Sequence, residues 1–130
     1  MTQNFNIDII SPSKSIFSSE LSEATIPAYE GEMGVLTDHI PFITFLRPGL
    51  IEVLQDGSTQ KFFVEDGVVE FSENKLLILS STARNLNEID KGLASEIIEQ
   101  SKQNLKDENI GDKQKYLLSY KIDALTKIIQ

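Results

Sequence analysis

The chain up to about Ser80 consists of short apolar runs separated by residues typical of turns. Several runs alternate apolar and polar positions, as FNIDII does from Phe5, and this period of two is that of a strand with one buried face. Asp56-Gly57 is the clearest hairpin signal, because this dipeptide tolerates the positive φ angles of tight turns. Seven or more strands without intervening helices favour a sandwich or a barrel. The predicted strands begin at Phe5, Ala24, Ile43, Leu50, Thr59, Val68 and Leu76, and Glu73-Asn74 is predicted as the turn between the last two.

After Arg84 the apolar residues recur at helical spacing, and charged residues fall off the apolar stripes. Two such stripes predict two amphipathic helices joined by a short loop. The sequence therefore predicts an all-β domain, a sandwich or a barrel, over residues 1–84 and an antiparallel α-helical hairpin over residues 85–130. The stripe residues are Ile89, Leu93 and Ile97 in the first helix and Leu118, Ile122 and Leu125 in the second.

Polar residues at the helix ends suggest where each helix begins. Asn87 is predicted as the N-cap of the first helix, with Asp90 in the positively polarised first turn. Gly111 supplies the turn between the helices, and Asp112 is predicted as the next cap. A buried Leu or Ile contributes about 1.5–3 kcal/mol, while ordering each residue costs about 1–2 kcal/mol, so a lone hairpin is marginal. We expect it to lean on the sandwich or on a partner.

Composition and charge narrow the class of protein. With 40% apolar and 25% charged residues and no cysteine, the chain is near the average of globular proteins and has no disulfide or thiolate site. It lacks a signal peptide and any run of about 20 apolar residues, so we expect a soluble intracellular protein without direct membrane insertion. The net charge is −8, with 12 acidic and 5 basic residues up to Arg84. Such an acidic surface disfavours binding to nucleic acid, so we expect the partner to be a protein.

The sequence gives little support to catalysis. His39, the single histidine, follows Asp38, but neighbours in an extended chain point apart, and no nucleophile or second metal-ligand motif accompanies it. Among the twelve acids before Arg84, no spacing identifies a carboxylate pair. We therefore expect no catalytic residue and no metal site, and we assign His39 a structural or interface role.

The glycines between Glu30 and Gly49 are interpreted as turn residues. Gly34 leads into Val35 and not into the Lys-Ser/Thr of a phosphate-binding loop, so Glu30–Gly34 is predicted to be a tight turn that exposes its acids and Met33. A buried Met33 is the alternative. Pro48-Gly49 is predicted to be a turn in which Gly49 takes a positive φ.

The stretch EGEMGVLTDHIPFITFLRPGLIEV, residues 30–53, closely resembles the signature of the epsilon subunit of F-type ATP synthases. That signature runs as Gly-x-x-Gly-Ile/Val-Leu, then His-x-Pro, then Leu-x-Pro-Gly. The resemblance extends over the rest of the chain and implies a sandwich of about ten strands, so the seven strands predicted above are too few. The matching positions are Gly31, Gly34, Val35, Leu36, His39, Pro41, Leu46, Pro48 and Gly49.

The resemblance implies a non-catalytic rotor component that couples c-ring rotation to the gamma subunit in a proton-driven ATP synthase. It would sit peripherally, as part of F1, on the cytoplasmic side of the bacterial inner membrane. In bacterial relatives the hairpin either folds down on the sandwich or extends to the alpha and beta subunits, where it blocks ATP hydrolysis. Carried over by position, the c-ring would face Glu30, Gly31, Glu32, Met33 and Gly34, and gamma would face Ser11, His39 and Thr44.

One departure from the family concerns ATP. Some relatives bind ATP through an Ile/Leu-Asp-x-x-Arg-Ala motif at the start of the first helix. Here that segment is Ile89-Asp90-Lys91-Gly92-Leu93-Ala94, with Leu93 at the position of the arginine. A leucine cannot pair with phosphate, and a glycine weakens the helix start, so we expect no bound nucleotide or other cofactor.

Two other classes of function stay open from the residues alone. One is a free-standing adaptor of similar fold that binds an unrelated protein. The other is a small hydrolase that depends on a carboxylate pair. The first predicts partners other than gamma and beta, and the second predicts turnover by the isolated chain.

Overall fold

A computed structural model describes residues 4–129. Ten strands precede two helices, and this number confirms the strand count implied by the family resemblance. A 3-10 turn, Leu86–Glu88, lies between the last strand and the first helix. The strands are β1 (Phe5–Ile10), β2 (Ser15–Leu21), β3 (Glu23–Ala28), β4 (Gly31–Leu36), β5 (Phe42–Leu46), β6 (Gly49–Gln55), β7 (Ser58–Val64), β8 (Gly67–Ser72), β9 (Lys75–Leu79) and β10 (Arg84–Asn85). The helices are α1 (Lys91–Leu105) and α2 (Asp112–Ile129).

The strands form one hydrogen-bonded path, ordered β10-β7-β6-β3-β5-β8-β9-β1-β2, with β4 added beside β3. β3 pairs with β5 only at Ala28 and Leu46, so the path folds over there into two layers. Among the described residues, β1 with β9 is the one parallel pair. The Phe17 and Phe62 rings, on β2 and β7, meet at 5.1 Å between the layers. The inward side chains of both layers form the core predicted for a sandwich.

Three strands were missed by the hydrophobic pattern. The sequence of β2, SIFSSEL, is largely polar, and β10 has only two residues. The prediction of a tight turn over Glu30–Gly34 was wrong, because the turn occupies Tyr29 and Glu30 and Gly31 already begins β4. Two glycines make β4 look like a turn, yet full antiparallel pairing with β3 supplies the hydrogen bonds that keep it extended.

Two predicted hairpin turns are confirmed by their backbone angles. Asp56 and Gly57 have φ of 47° and 81° between β6 and β7. Glu73 and Asn74 have φ of 52° and 56° between β8 and β9. Positive φ at both central residues matches the twist of paired strands, so these dipeptides fix the register of their hairpins.

The prediction that Gly49 takes a positive φ was wrong, since the glycines with a positive φ are Gly31, Gly57 and Gly67. A Cβ on Gly49 would lie 2.6 Å from Cβ of Pro27. Glycine is therefore needed at position 49 because β6 approaches β3 closely, and not because of its backbone angle.

The helix starts also differ from the prediction. Asp90, and not Asn87, is the N-cap of α1, and its carboxylate accepts a hydrogen bond from the Leu93 amide at 2.7 Å. Asn85 caps the preceding 3-10 turn by accepting from the Asn87 amide. Asp112 is the first residue of α2 and not its cap. No helix among residues 4–129 is long and apolar enough to span a bilayer.

The hairpin packs on the sandwich through a second apolar cluster. Its buried members are Phe63 of β7 and, from the C-terminal segment, Ile89, Ala94, Ile98, Ala124 and Leu125. Leu93, Ile97 and Ile122 are half-buried against it, so five of the six predicted stripe residues belong to this cluster, although Ile89 precedes the helix. Leu118 lies half-buried near the interhelical loop and outside the cluster. The domain boundary at residues 84 and 85 stays a prediction; β10 spans these two residues and pairs with β7.

Candidate protein-docking surfaces

The outer side of β5, β8 and β9 carries an exposed apolar strip. We call Ile43, Phe45, Val68 and Leu79 the apolar face; their side chains are 70%, 62%, 37% and 47% exposed. Phe45 pairs with Val68, and Val68 pairs with Leu79, so three of them lie side by side across three strands. Large side chains left in contiguous exposure usually mark an interaction site.

Sequence reasoning did not single out these four residues. The signal that could have found them is present in the strands themselves. β9, KLLIL, and β5, FITFL, place apolar residues at successive positions, whereas a strand with one solvated face alternates. A strand that is apolar on both faces, in a sheet whose inner face alone is covered by the chain, leaves apolar side chains exposed and available to a second contact.

A shallow groove of about 630 Å³ runs beside the apolar face. Ser11 lines it, together with Pro12 of the β1–β2 turn and Phe45 and Leu79 of the face. The Ser11 hydroxyl is held within its own turn, where it donates to the Lys14 carbonyl at 3.1 Å. The structure therefore brings Ser11, one of the three residues predicted to face gamma, to the edge of the apolar face.

The other two residues predicted to face gamma lie elsewhere. Thr44 pairs with the buried Val69, so its half-buried side chain lies on the inner side of β5 while Ile43 and Phe45 point outward. The His39 ring packs edge-on against Phe42 and Phe71, at centroid distances of 5.2 and 5.9 Å. His39 also places Nδ1 at 2.8 Å from the Ile40 carbonyl oxygen. These contacts give His39 a positioning role in the loop before β5.

A second surface is formed by the Tyr29-Glu30 turn and the start of β4. Glu30, Glu32 and Gly34 are exposed, whereas Gly31 and Met33 are half-buried, and Met33 packs against the sandwich core. Because side chains alternate along a strand, Glu32 points away from Met33. The five residues predicted to face the c-ring therefore form one edge of the sandwich that presents acids and accessible backbone.

No constellation suited to catalysis emerges among residues 4–129. Over that range, no group of three or more histidine, aspartate or glutamate side chains is placed to hold a metal ion. The densest polar network joins the Ser80 and Thr82 hydroxyls to Asp66, with Ser80 donating to the Asp66 carbonyl at 2.7 Å and Thr82 donating to the carboxylate at 3.3 Å. Thr82 also accepts from the Glu65 amide at 2.9 Å, so the network serves to close the loops beside β8.

Residues 4–86 match the family model described as "ATP synthase, Delta/Epsilon chain, beta-sandwich domain". Over nearly the full length, the chain is similar to the ATP synthase epsilon chain of Pelagibacter ubique (strain HTCC1062). The two are 44% identical over 126 residues, which are 96% of this chain and 97% of the relative. The ATP synthase epsilon chain of Afipia carboxidovorans is 37% identical over 108 residues, covering 83% of this chain and 79% of the relative.

Two solved structures have a similar fold. A chain in the cryo-EM structure of the Euglena gracilis mitochondrial ATP synthase, OSCP/F1/c-ring in rotational state 1, superposes with a TM-score of 0.82 at 21% identity, covering 98% of this chain and 82% of that one. A chain of the central stalk/c-ring structure of the Tetrahymena thermophila mitochondrial ATP synthase gives 0.63 at 13% identity, covering 99% and 98%. At these identities the likeness concerns the fold, and it spans both the sandwich and the helices.

Proposed function

This chain belongs to the ATP synthase delta/epsilon chain family, and from that premise we propose that it is a non-catalytic component of the central-stalk rotor in an F1Fo ATP synthase. Its near-full-length relatives are epsilon chains. In this role it passes the rotation of the c-ring to the gamma subunit, and the sites that make or cleave ATP lie on other chains. The complex would lie peripherally on the cytoplasmic side of the bacterial inner membrane.

The exposed apolar face is the observation that carries the proposed contact with gamma. Its four side chains stand on paired strands, so their backbone is already fixed and little backbone entropy is lost when a partner covers them. Covering apolar surface contributes about 25 cal/mol per Å². Ser11 would contact gamma at the rim of this face, whereas Thr44 and His39 would act by holding β5 and its preceding loop.

The acidic edge beginning at Tyr29 is the surface that we assign to the c-ring. Glu30 and Glu32 reach solvent there, and Gly31 and Gly34 have open space around them, since an added Cβ on either would meet nothing within 4 Å. Loops of the c-ring could therefore approach the backbone of Gly31 and Gly34 closely. Met33 packs against the sandwich core, which is the buried alternative that the sequence left open.

Recovery of partners from the cell's own extract tests this function against the adaptor alternative. The full-length chain, carrying an affinity tag, is expected to retain gamma together with the beta subunit and other F1 chains. Capture of a different protein without gamma and beta would support an adaptor and overturn the rotor assignment. Turnover of a substrate by the purified chain, lost on changing one acidic pair, would support the hydrolase alternative instead.

The hairpin is proposed to restrain ATP hydrolysis by leaving the sandwich and reaching the alpha and beta subunits. Its apolar contact with the sandwich involves Phe63 and Leu50. Ring and polar contacts made by Tyr116 and Lys121 add to it. An element that docks through a single surface of this kind can occupy two positions. A chain ending at Ile89 keeps β10 and the 3-10 turn but removes both helices. We expect ATP hydrolysis by a reconstituted F1 head to rise with this chain relative to the full-length one. An unchanged rate would make the hairpin a brace and not an inhibitor.

We also propose that the isolated chain binds no ATP. Leu93 stands where the nucleotide-binding relatives have arginine, and here it is half-buried in the apolar cluster of the hairpin. Calorimetric titration of the purified chain is expected to show no saturable heat up to about 1 mM ATP, a concentration that corresponds to about −4 kcal/mol of binding free energy. Titration of ATP into buffer supplies the heat of dilution. Saturable binding below that concentration would contradict the proposal.

A further inference from the structure

Tyr116 of α2 makes the longest-range polar contact between the hairpin and the sandwich. Its hydroxyl donates to the Tyr29 carbonyl oxygen at 2.7 Å, across 87 positions of the chain. The same hydroxyl accepts from Nη1 of Arg47 at 3.2 Å. The Tyr116 ring also packs on the Tyr29 ring, with 5.4 Å between centroids. One side chain of the hairpin therefore contacts both the turn before β4 and the residue that follows β5.

Arg47 is held by two tyrosines of α2. Tyr116 and Tyr120 are four positions apart and so lie on one face of the helix, and their rings meet edge-on at 4.8 Å. The guanidinium carbon of Arg47 lies 3.8 Å from the centroid of the Tyr120 ring, a cation–π geometry. Tyr120 therefore contacts Arg47 with its ring, whereas Tyr116 contacts Arg47 with its hydroxyl.

The backbone around these residues links the turn to both layers of the sandwich. The Tyr29 amide donates to the Phe45 carbonyl at 2.8 Å, and the Arg47 amide donates to the Pro27 carbonyl at 3.0 Å. This is the place where the path of strands folds over, since β3 and β5 pair only at Ala28 and Leu46. Side-chain contacts from α2 add to these two backbone hydrogen bonds at the place where β3 and β5 pair least.

We propose that the Tyr116 hydroxyl couples hairpin docking to the conformation of the Tyr29-Glu30 turn. While α2 is docked, the Tyr116 hydroxyl donates a hydrogen bond to the Tyr29 carbonyl and orients Arg47. When α2 leaves, the carbonyl and the guanidinium form hydrogen bonds with water, and the backbone of the turn becomes more mobile. Coupling of this kind is reciprocal, so anything that holds the turn in its present form also strengthens docking of the hairpin. This coupling is intramolecular and does not depend on which protein contacts the turn.

Amide hydrogen exchange of the full-length chain, resolved by NMR, tests the coupling with two tyrosine variants. Tyr116→Phe keeps the ring but removes both hydrogen bonds of the hydroxyl. Exchange at the Tyr29 and Arg47 amides is expected to rise about three- to tenfold, the factor that corresponds to one net hydrogen bond. The matched control, Tyr120→Phe, keeps the ring beneath Arg47 and is expected to leave these amides unchanged.

Two results would overturn the coupling. One is an unchanged rate at Tyr29 and Arg47 in Tyr116→Phe; the other is an equal rise at the Asp56-Gly57 turn, which would report only a general loss of stability. Reciprocity supplies a second test from the sandwich side. Tyr29→Ala keeps the backbone carbonyl but removes the ring that packs on Tyr116, and so loosens the turn. Exchange over residues 115–120 of α2 is then expected to rise, whereas the exposed Glu30→Ala leaves it unchanged. No response of α2 to Tyr29→Ala would also reject the proposal.

Discussion

Replacing Phe45 by glutamate is expected to abolish recovery of the gamma subunit while leaving the chain folded. Phe45 is the fourth of the five residues of β5 and pairs with Val68 on the outer side of the sheet, so a partner that covers the apolar face must cover Phe45. A carboxylate there would be buried without a counter-charge, and truncation of a central aromatic anchor alone costs about 2–4 kcal/mol, or roughly 30- to 1000-fold in affinity. The measurement is binding of purified gamma to the full-length chain.

The control for Phe45→Glu is Leu36→Glu. Leu36 is also a large exposed apolar residue, at 56% against 62% for Phe45, but it lies on β4, paired with Glu23 and outside the apolar face. We expect this variant to bind gamma as the parent does. Equal loss of binding in both variants, or normal binding by Phe45→Glu with an unchanged fold, would show that gamma does not use the apolar face.

Leu125→Ala is expected to undock the hairpin without unfolding the sandwich. Leu125 is fully buried in the second apolar cluster, which joins both helices to Phe63 of the sandwich and is separate from the sandwich core. Removing such a side chain costs about 2–5 kcal/mol, which is comparable to the whole stability expected for a small hairpin on its surface. Hydrogen exchange should therefore become fast throughout α1 and α2 while the amides of β1, β8 and β9 keep their protection.

Leu118→Ala serves as the control, because Leu118 is half-buried near the interhelical loop and does not belong to the second apolar cluster, through which the hairpin packs on the sandwich. We expect it to cost less than about 1.5 kcal/mol and to leave the hairpin docked. If Leu125→Ala instead unfolds strands and helices in one transition, hairpin and sandwich form a single cooperative unit. That result would contradict a hairpin that leaves on its own.

Local chemistry explains which features of the fold could be predicted. The Asp56-Gly57 and Glu73-Asn74 turns carry their own conformational preference, so their positions followed from the sequence. β4 was missed because Gly31 and Gly34 have no preference for a strand, and only pairing with β3 makes this segment extended. The α1 cap was misplaced because Asn85, Asn87 and Asp90 are all suitable cap residues, and the chain path into the 3-10 turn selects among them.

The docking surfaces were only partly predictable. The family resemblance implied the segment from Glu30 to Gly34 and the position of Ser11 as contacts, and these stay predictions; Glu30, Glu32 and Gly34 are exposed, whereas Ser11 is half-buried. The apolar face was missed because a single strand cannot reveal which of its two apolar sides is covered by the rest of the chain. Met33 illustrates the same difficulty, since it reads as an exposed contact in sequence and packs on the core in the fold.

By itself, the sequence determined that a part rich in strands precedes two helices, that the period changes near Arg84, and the family, because each depends on neighbouring residues and on motif spacing. Only the tertiary structure decided that Ile43, Phe45, Val68 and Leu79 form one exposed strip and that Tyr116 reaches Tyr29. Those contacts join residues far apart in the chain. Their geometry depends on how the two layers of strands meet at Ala28 and on where α2 docks on the sandwich. No local pattern of residues determines either of these.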